Sequence, residues 1–75
     1  MAVKVTLVLY GEHALKHGSR LEFEAVEGET VEELLGELHI GTEGHHLLVN
    51  ERKVGKDHVL KDGDVLKILP FVYGG

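Results

Sequence analysis

The run Thr30-Val31-Glu32-Glu33-Leu34-Leu35-Gly36-Glu37-Leu38 decides the fold class, because it carries the clearest helix signal in a chain otherwise dominated by strand alternation. Threonine is a favoured helix N-cap, and a glutamate three places on can reach back to the cap's own N–H, so Thr30 and Glu33 form a candidate capping box. Leu34, Leu35 and Leu38 continue an apolar stripe at helical spacing, which predicts a helix from about Val31 to Leu38. Gly36 weakens that helix by roughly 1 kcal/mol relative to alanine without ending it.

Strand signals flank this helix on both sides. Before it, Leu21, Phe23 and Ala25 alternate with Glu22 and Glu24, a half-buried strand with a charged outer face. Earlier still, Val3, Val5, Leu7 and Leu9 alternate with Lys4, Thr6, Val8 and Tyr10, predicting a strand over 3–10 whose second face is partly apolar. The glycine-framed segment between these strands, 11–18, is short enough for a loop or about two helical turns. After the helix, Leu47-Leu48-Val49 reads as a short strand entering a turn at 50–53, with Val54 opening a return strand. Lys61-Asp62-Gly63-Asp64 carries an Asp-Gly turn signal, and a last strand runs over 65–69. Pro70 is expected to end its ladder, since proline has no N–H to donate. The order is strand, strand, helix, strand, short strand, strand. That is an α+β domain, a mixed sheet of four or five strands with one main helix across one face.

Composition narrows the function classes. Seventy-five residues make one domain with one small core. With no cysteine there is no disulfide, iron–sulfur cluster, cysteine zinc site or thiol nucleophile. Thirteen acidic against eight basic residues leave a net charge of −5, which repels a phosphate backbone or an anionic membrane and favours basic-surfaced protein partners. The opening Met1-Ala2-Val3-Lys4-Val5 lacks the basic and long apolar segments of a signal peptide, so a soluble, cytoplasmic protein is expected.

The sequence finishes on Pro70-Phe71-Val72-Tyr73-Gly74-Gly75. Paired glycines after an apolar strand add nothing to folding, because they pack no side chain and lose the most backbone entropy on ordering. They do provide a thin, bendable lead to a free carboxylate, and six extended residues reach roughly 20 Å. The expected division is a domain over 1–70 and a flexible tail over 71–75.

Taken together, the strand pattern, the capped helix, Val49-Asn50, the turn Leu60-x-Asp62-Gly63-Asp64, the apolar strand into Pro70 and the terminal Gly74-Gly75 resemble the ubiquitin-like sulfur carriers of molybdopterin and thiamin biosynthesis, the MoaD/ThiS family. The likeness spans the chain. It implies a β-grasp (ubiquitin-like) fold with the first and last strands adjacent, parallel and central. It also implies that a partner, an E1-like adenylating enzyme, uses ATP to activate the Gly75 carboxylate, and that a sulfur donor of desulfurase or rhodanese type converts it to a thiocarboxylate. An acceptor synthase, such as a molybdopterin synthase large subunit, would then take the sulfur. The carrier would be a macromolecular substrate rather than an enzyme, binding no cofactor itself. Gly75 would be the point of covalent attachment and Gly74 would ease passage into the partner's site, where a Cβ would obstruct. If the first and last strands are neighbours, Val8, Tyr10, Leu69 and Phe71 share the face opposite the helix, and with Val72 and Tyr73 they form an expected partner-binding surface.

Segment 11–18 resembles the short helix of molybdopterin-type carriers, and the arginines that precede Gly-Gly in ubiquitin are missing. Delivery to molybdopterin or tungstopterin synthesis is therefore the leading expectation, ahead of thiamin synthesis or tRNA thiolation. Two alternatives stay open: a protein modifier joined to lysines through Gly75, and a non-covalent β-grasp adaptor. The histidines suggest a metal through His13 and His17, four apart, or the adjacent His45-His46, but neither pair has the carboxylate or cysteine spacing of a known site, and solvated loop histidines are expected. Glu32, Glu33 and Glu37 read as a wet helix face with the first two favouring the helix dipole, and Asp62 and Asp64 as turn residues.

Overall fold

The computed structural model describes residues 2–71. Seven elements follow one another: β1 (Ala2–Leu9), α1 (Gly11–His17), β2 (Arg20–Val26), α2 (Val31–Glu37), β3 (His45–Val49), β4 (Arg52–Lys53) and β5 (Asp64–Pro70). The strands form one sheet in the order β2-β1-β5-β3-β4. The β1–β5 pair is parallel and the other pairs are antiparallel. This is the β-grasp arrangement implied by the resemblance, with β5, the last strand, in the middle of the sheet.

Alternation builds the core. Val3, Val5, Leu7 and Leu9 of β1 and Leu66 and Ile68 of β5 point to one side, where they meet Val31, Leu34 and Leu35 of α2. Leu7, Leu34, Leu35, Leu66 and Ile68 are completely buried. The capping box of α2 forms as its residues require: the Thr30 hydroxyl accepts from the Glu33 N–H at 3.2 Å, and a Glu33 carboxylate oxygen accepts from the Thr30 N–H at 2.9 Å. The helix stops at Glu37, with Leu38 as its C-cap.

The Asp-Gly-Asp segment does more than turn the chain. Asp62 accepts the Lys4 N–H at 2.9 Å while the Gly63 N–H donates to the Lys4 carbonyl at 2.8 Å, so the turn grips the start of β1 from both sides. Asp64 is buried, and its two carboxylate oxygens accept from the Asn50 side-chain amide (2.9 Å) and the Lys61 N–H (2.8 Å). Asn50 also accepts the Val65 N–H at 3.0 Å, tying the end of β3 to the start of β5.

Of the two readings open for 11–18, the helical one holds over Gly11–His17, although its N-cap residue Tyr10 makes no side-chain cap. Two details depart from the sequence reading. The turn after β3 takes only 50–51, both residues with positive φ (51° and 69°), and the return strand starts at Arg52 rather than Val54. Finally, the ladder does not end at Pro70. Proline lacks only its own donor, and β5 continues through it, with Pro70 opposite His45 and the Phe71 N–H donating to the Gly44 carbonyl at 2.8 Å.

A buried acid sits beneath α2. Glu29 is 7% exposed, and one of its carboxylate oxygens accepts from the Val26 N–H at 3.0 Å while the other, Oε2, has no donor. Glu37, in the last turn of α2, has its carboxyl pKa raised, chiefly by hydrogen bonding to Glu29, then by desolvation and by the charges of Glu29 and Glu33. Two ionised carboxylates cannot share a hydrogen bond. The neutral form of Glu37 is the one able to donate to Glu29, which is the direction of its raised pKa.

Candidate functional site: the open sheet face and the root of the tail

Among the described residues neither helix lies over the second face of the sheet, since both pack on the core side, and register places that face's side chains in rows. Arg20 stands opposite Val8, Val8 beside Lys67, Lys67 opposite Leu48 and Leu48 opposite Lys53. Five strands thus contribute one row in which three cations alternate with two apolar side chains. A second row, nearer the tail, pairs Leu69 with His46, and by alternation Tyr10 follows Val8 on the same side. Away from the tail the face turns acidic, with Glu22 opposite Thr6 and Glu24 opposite Lys4.

The expected partner-binding residues fall on this face as follows. Val8 and Leu69 are half-buried, Tyr10 is 37% exposed and Phe71 is 40% exposed. The Phe71 ring lies 4.4 Å from that of His46, tilted by 60°. Leu69, Phe71 and Tyr10 are grouped near the root of the tail, whereas Val8 is set in the mixed row beside Lys67. Val8, Tyr10, Leu69 and Phe71 thus share one face, with Lys67 bordering them in the row of Val8. Lys67 is ion-paired with Glu51, and that bond is the main cause of its raised pKa. Val72, Tyr73, Gly74 and Gly75 lie outside the described residues.

Two features escaped the sequence reading. Lys67 was legible by parity, since it alternates with Val65 and Leu69, but its neighbours Arg20 and Lys53 depend on register. The second is a pair of histidines distant in sequence. His13 of α1 and His45 of β3 face each other with Nε2 atoms 2.9 Å apart and ring centroids 4.9 Å apart. His45 Nδ1 lies 2.9 Å from the Glu43 carbonyl, to which it donates its proton. The pKa of His13 is lowered, first by burial and then by the neighbouring His45 and His17. Among the described residues, no group of three or more His, Cys, Asp or Glu side chains is placed to hold a metal ion, and no helix is long and apolar enough to cross a membrane.

Chemically, this surface can hold a protein partner against a mixed apolar and cationic platform while β5 carries the chain toward its end. The family model described as ThiS family matches residues 7–75. Among solved structures, molybdopterin converting factor subunit 1 from Pyrococcus furiosus is 28% identical, with a TM-score of 0.79 over 93% of this chain and 99% of that one. The small archaeal modifier protein 1 from Methanosarcina acetivorans is 22% identical, with a TM-score of 0.78 over 100% and 99% of the two chains. A complex of subunits 1 and 2 of the molybdopterin-converting factor from Helicobacter pylori contains a chain 24% identical, with a TM-score of 0.67 over 97% and 100%. The last two similarities speak to the fold alone. No match was found among curated proteins.

Proposed function

Since this chain belongs to the ThiS family, we propose that it is a sulfur carrier whose Gly75 carboxylate is the cargo site. A carboxylate is a poor acyl donor. An E1-like partner therefore joins it to AMP from ATP, releasing pyrophosphate, and a sulfide equivalent from a persulfide donor displaces the AMP, with a donor-side thiol supplying the electrons that free the sulfur. The product is a thiocarboxylate on Gly75. The carrier contributes no catalytic group; it contributes position, while the partner supplies charge stabilisation and a dry site for the acyl-adenylate.

The observation that carries this reading is that the family match runs through the glycine pair to residue 75. The central position of β5 supports it, since the strand leading to the tail is fastened on both sides. Delivery to a molybdopterin or tungstopterin synthase large subunit is favoured by the likeness to the Pyrococcus furiosus subunit 1 and by the presence of α1. On this reading the protein works in the cytoplasm, where ATP and a persulfide donor are both present.

A second reading is a modifier conjugated to lysines through Gly75, the part that the name of small archaeal modifier protein 1, which shares this fold, describes for that protein. Both readings need the glycine pair, and a non-covalent adaptor does not. Deleting Gly74 and Gly75 therefore abolishes function with an unchanged circular dichroism spectrum if either covalent reading holds; retained function would leave the adaptor.

A further inference from the structure

The His13–His45 pair has a geometry that solvated loop histidines do not require. The two residues are 32 positions apart, on different elements, yet their Nε2 atoms are brought to 2.9 Å. His45 is oriented by a bond behind it: Nδ1–H donates to the Glu43 carbonyl at 2.9 Å, which fixes the tautomer and leaves the lone pair on Nε2, facing His13. A backbone carbonyl behind the imidazole is the usual outer-shell support of a metal-ligating histidine. Both rings are half-buried. Their freedom to turn away is correspondingly reduced, so much of the ordering cost of a chelate is already met.

Spacing indicates which ion fits. With metal–nitrogen bonds of about 2.0–2.1 Å, ligands in cis positions of a square-planar or octahedral ion stand about 2.9 Å apart, and ligands of a tetrahedral ion about 3.3–3.4 Å. The observed separation matches the first case. Imidazole is a ligand for copper, nickel and zinc alike, and tetragonal geometry belongs to Cu²⁺ and Ni²⁺.

We propose that His13 and His45 form a two-imidazole site for a late first-row divalent ion with cis coordination, Cu²⁺ or Ni²⁺, the remaining positions being filled by water. The ion replaces the hydrogen bond and sits to one side of the line between the two Nε2 atoms, where both lie about 2.0–2.1 Å from it. His13 passes to its Nδ1–H tautomer as its Nε2 becomes a ligand, so the neutral pair needs no net release of protons. His17, one helical turn from His13, and His46, next to His45, are natural controls because they share the local sequence without the facing geometry.

The test is isothermal titration of the full-length, tag-free protein with Ni²⁺ and, separately, Zn²⁺ at pH 7.5 in a non-chelating buffer. Histidine ¹⁵N–¹H spectra report which nitrogens respond, and an amide spectrum of each variant reports its fold. The expected result is one equivalent of Ni²⁺ bound more tightly than Zn²⁺. Changes should centre on the ring nitrogens of His13 and His45, with His13 Nδ1 gaining the proton, and with an affinity loss of at least about tenfold in H13Q and in H45Q and under about twofold in H17Q and H46Q. Should H45Q disturb β3, H13Q on the exposed helix decides alone. Absence of Ni²⁺ binding, tighter binding of Zn²⁺, unchanged affinity in H13Q, or a dominant loss in H17Q or H46Q would each overturn the proposal.

Discussion

The two faces of this sheet are made from the same strands, residue by residue in alternation, and they are held by different physics. On the helix side, Leu66 and Ile68 of β5 are fully buried against β1 and α2. One residue along in each case, Lys67 and Leu69 look out on a face with no helix over it, where cations and apolar groups share a row. Burial decides the first face, so its residues are chosen by volume and fit. The second is freed from that demand and can be shaped for recognition, at the cost of leaving some apolar surface wet. Its charge is also uneven. A chain of net charge −5 places Arg20, Lys67 and Lys53 in one row near the root of its tail and Glu22 and Glu24 further away. A partner meeting the open face thus encounters Arg20, Lys53 and the Lys67–Glu51 ion pair in one row, and acids further from the tail.

Substitutions on the two sides separate these roles. Leu66→Ala, on the buried side, should lower unfolding stability by about 2–5 kcal/mol through lost burial and a residual cavity; a denaturant melt showing less than 1 kcal/mol, on the order of a surface change, would mean the core is not centred on β5. Next in size is Asn50→Ala at the edge between the faces. It removes the donor to buried Asp64 and the acceptor for the Val65 N–H, and forces alanine into a positive-φ site. A loss of about 1–3 kcal/mol is expected, and Asn50→Gly, which tolerates the backbone, should recover only part of it.

On the open side the expectation reverses. Phe71→Ala should change stability by under about 0.5 kcal/mol and weaken binding of the adenylating partner by about tenfold or more, as truncation of an aromatic anchor does. Unfolding of the domain would instead assign Phe71 to the core. The smallest effect concerns Glu37. Its pKa is raised in the folded protein, so its contribution to stability is full below the ordinary glutamate value and is lost as pH rises through the raised folded value. Glu37→Gln keeps a donor for Glu29 at every pH. The variant should melt slightly higher than the parent at pH 7, with the difference shrinking toward pH 4; a constant or growing gap would contradict the acid pair.

Much of the buried face was legible in the sequence because its signals are local. Alternation marked β1 and β2, and Thr30 with Glu33 marked the start of α2 to the residue. Where the reading slipped, non-local bonds had decided the outcome. β4 starts two residues early because Asn50 and Glu51 complete the turn alone, and Phe71 stays paired because Gly44 supplies an acceptor beyond the proline. The open face was legible in its parity but not in its rows, since Arg20, Lys67 and Lys53 share a row only through four strand registers. The His13–His45 pair had no local signal at all; two elements must be folded before it exists.

The account turns on the end of the chain that β5 carries. Intact-protein mass spectrometry of the protein isolated from its native host, kept from reducing and nucleophilic additives, tests it most directly. A population heavier than the free carboxylate by the replacement of one oxygen with sulfur, absent when Gly74 and Gly75 are deleted, is the expected result. A carboxylate form alone, or a ladder of lysine-linked adducts with no thiocarboxylate among them, would contradict a sulfur carrier.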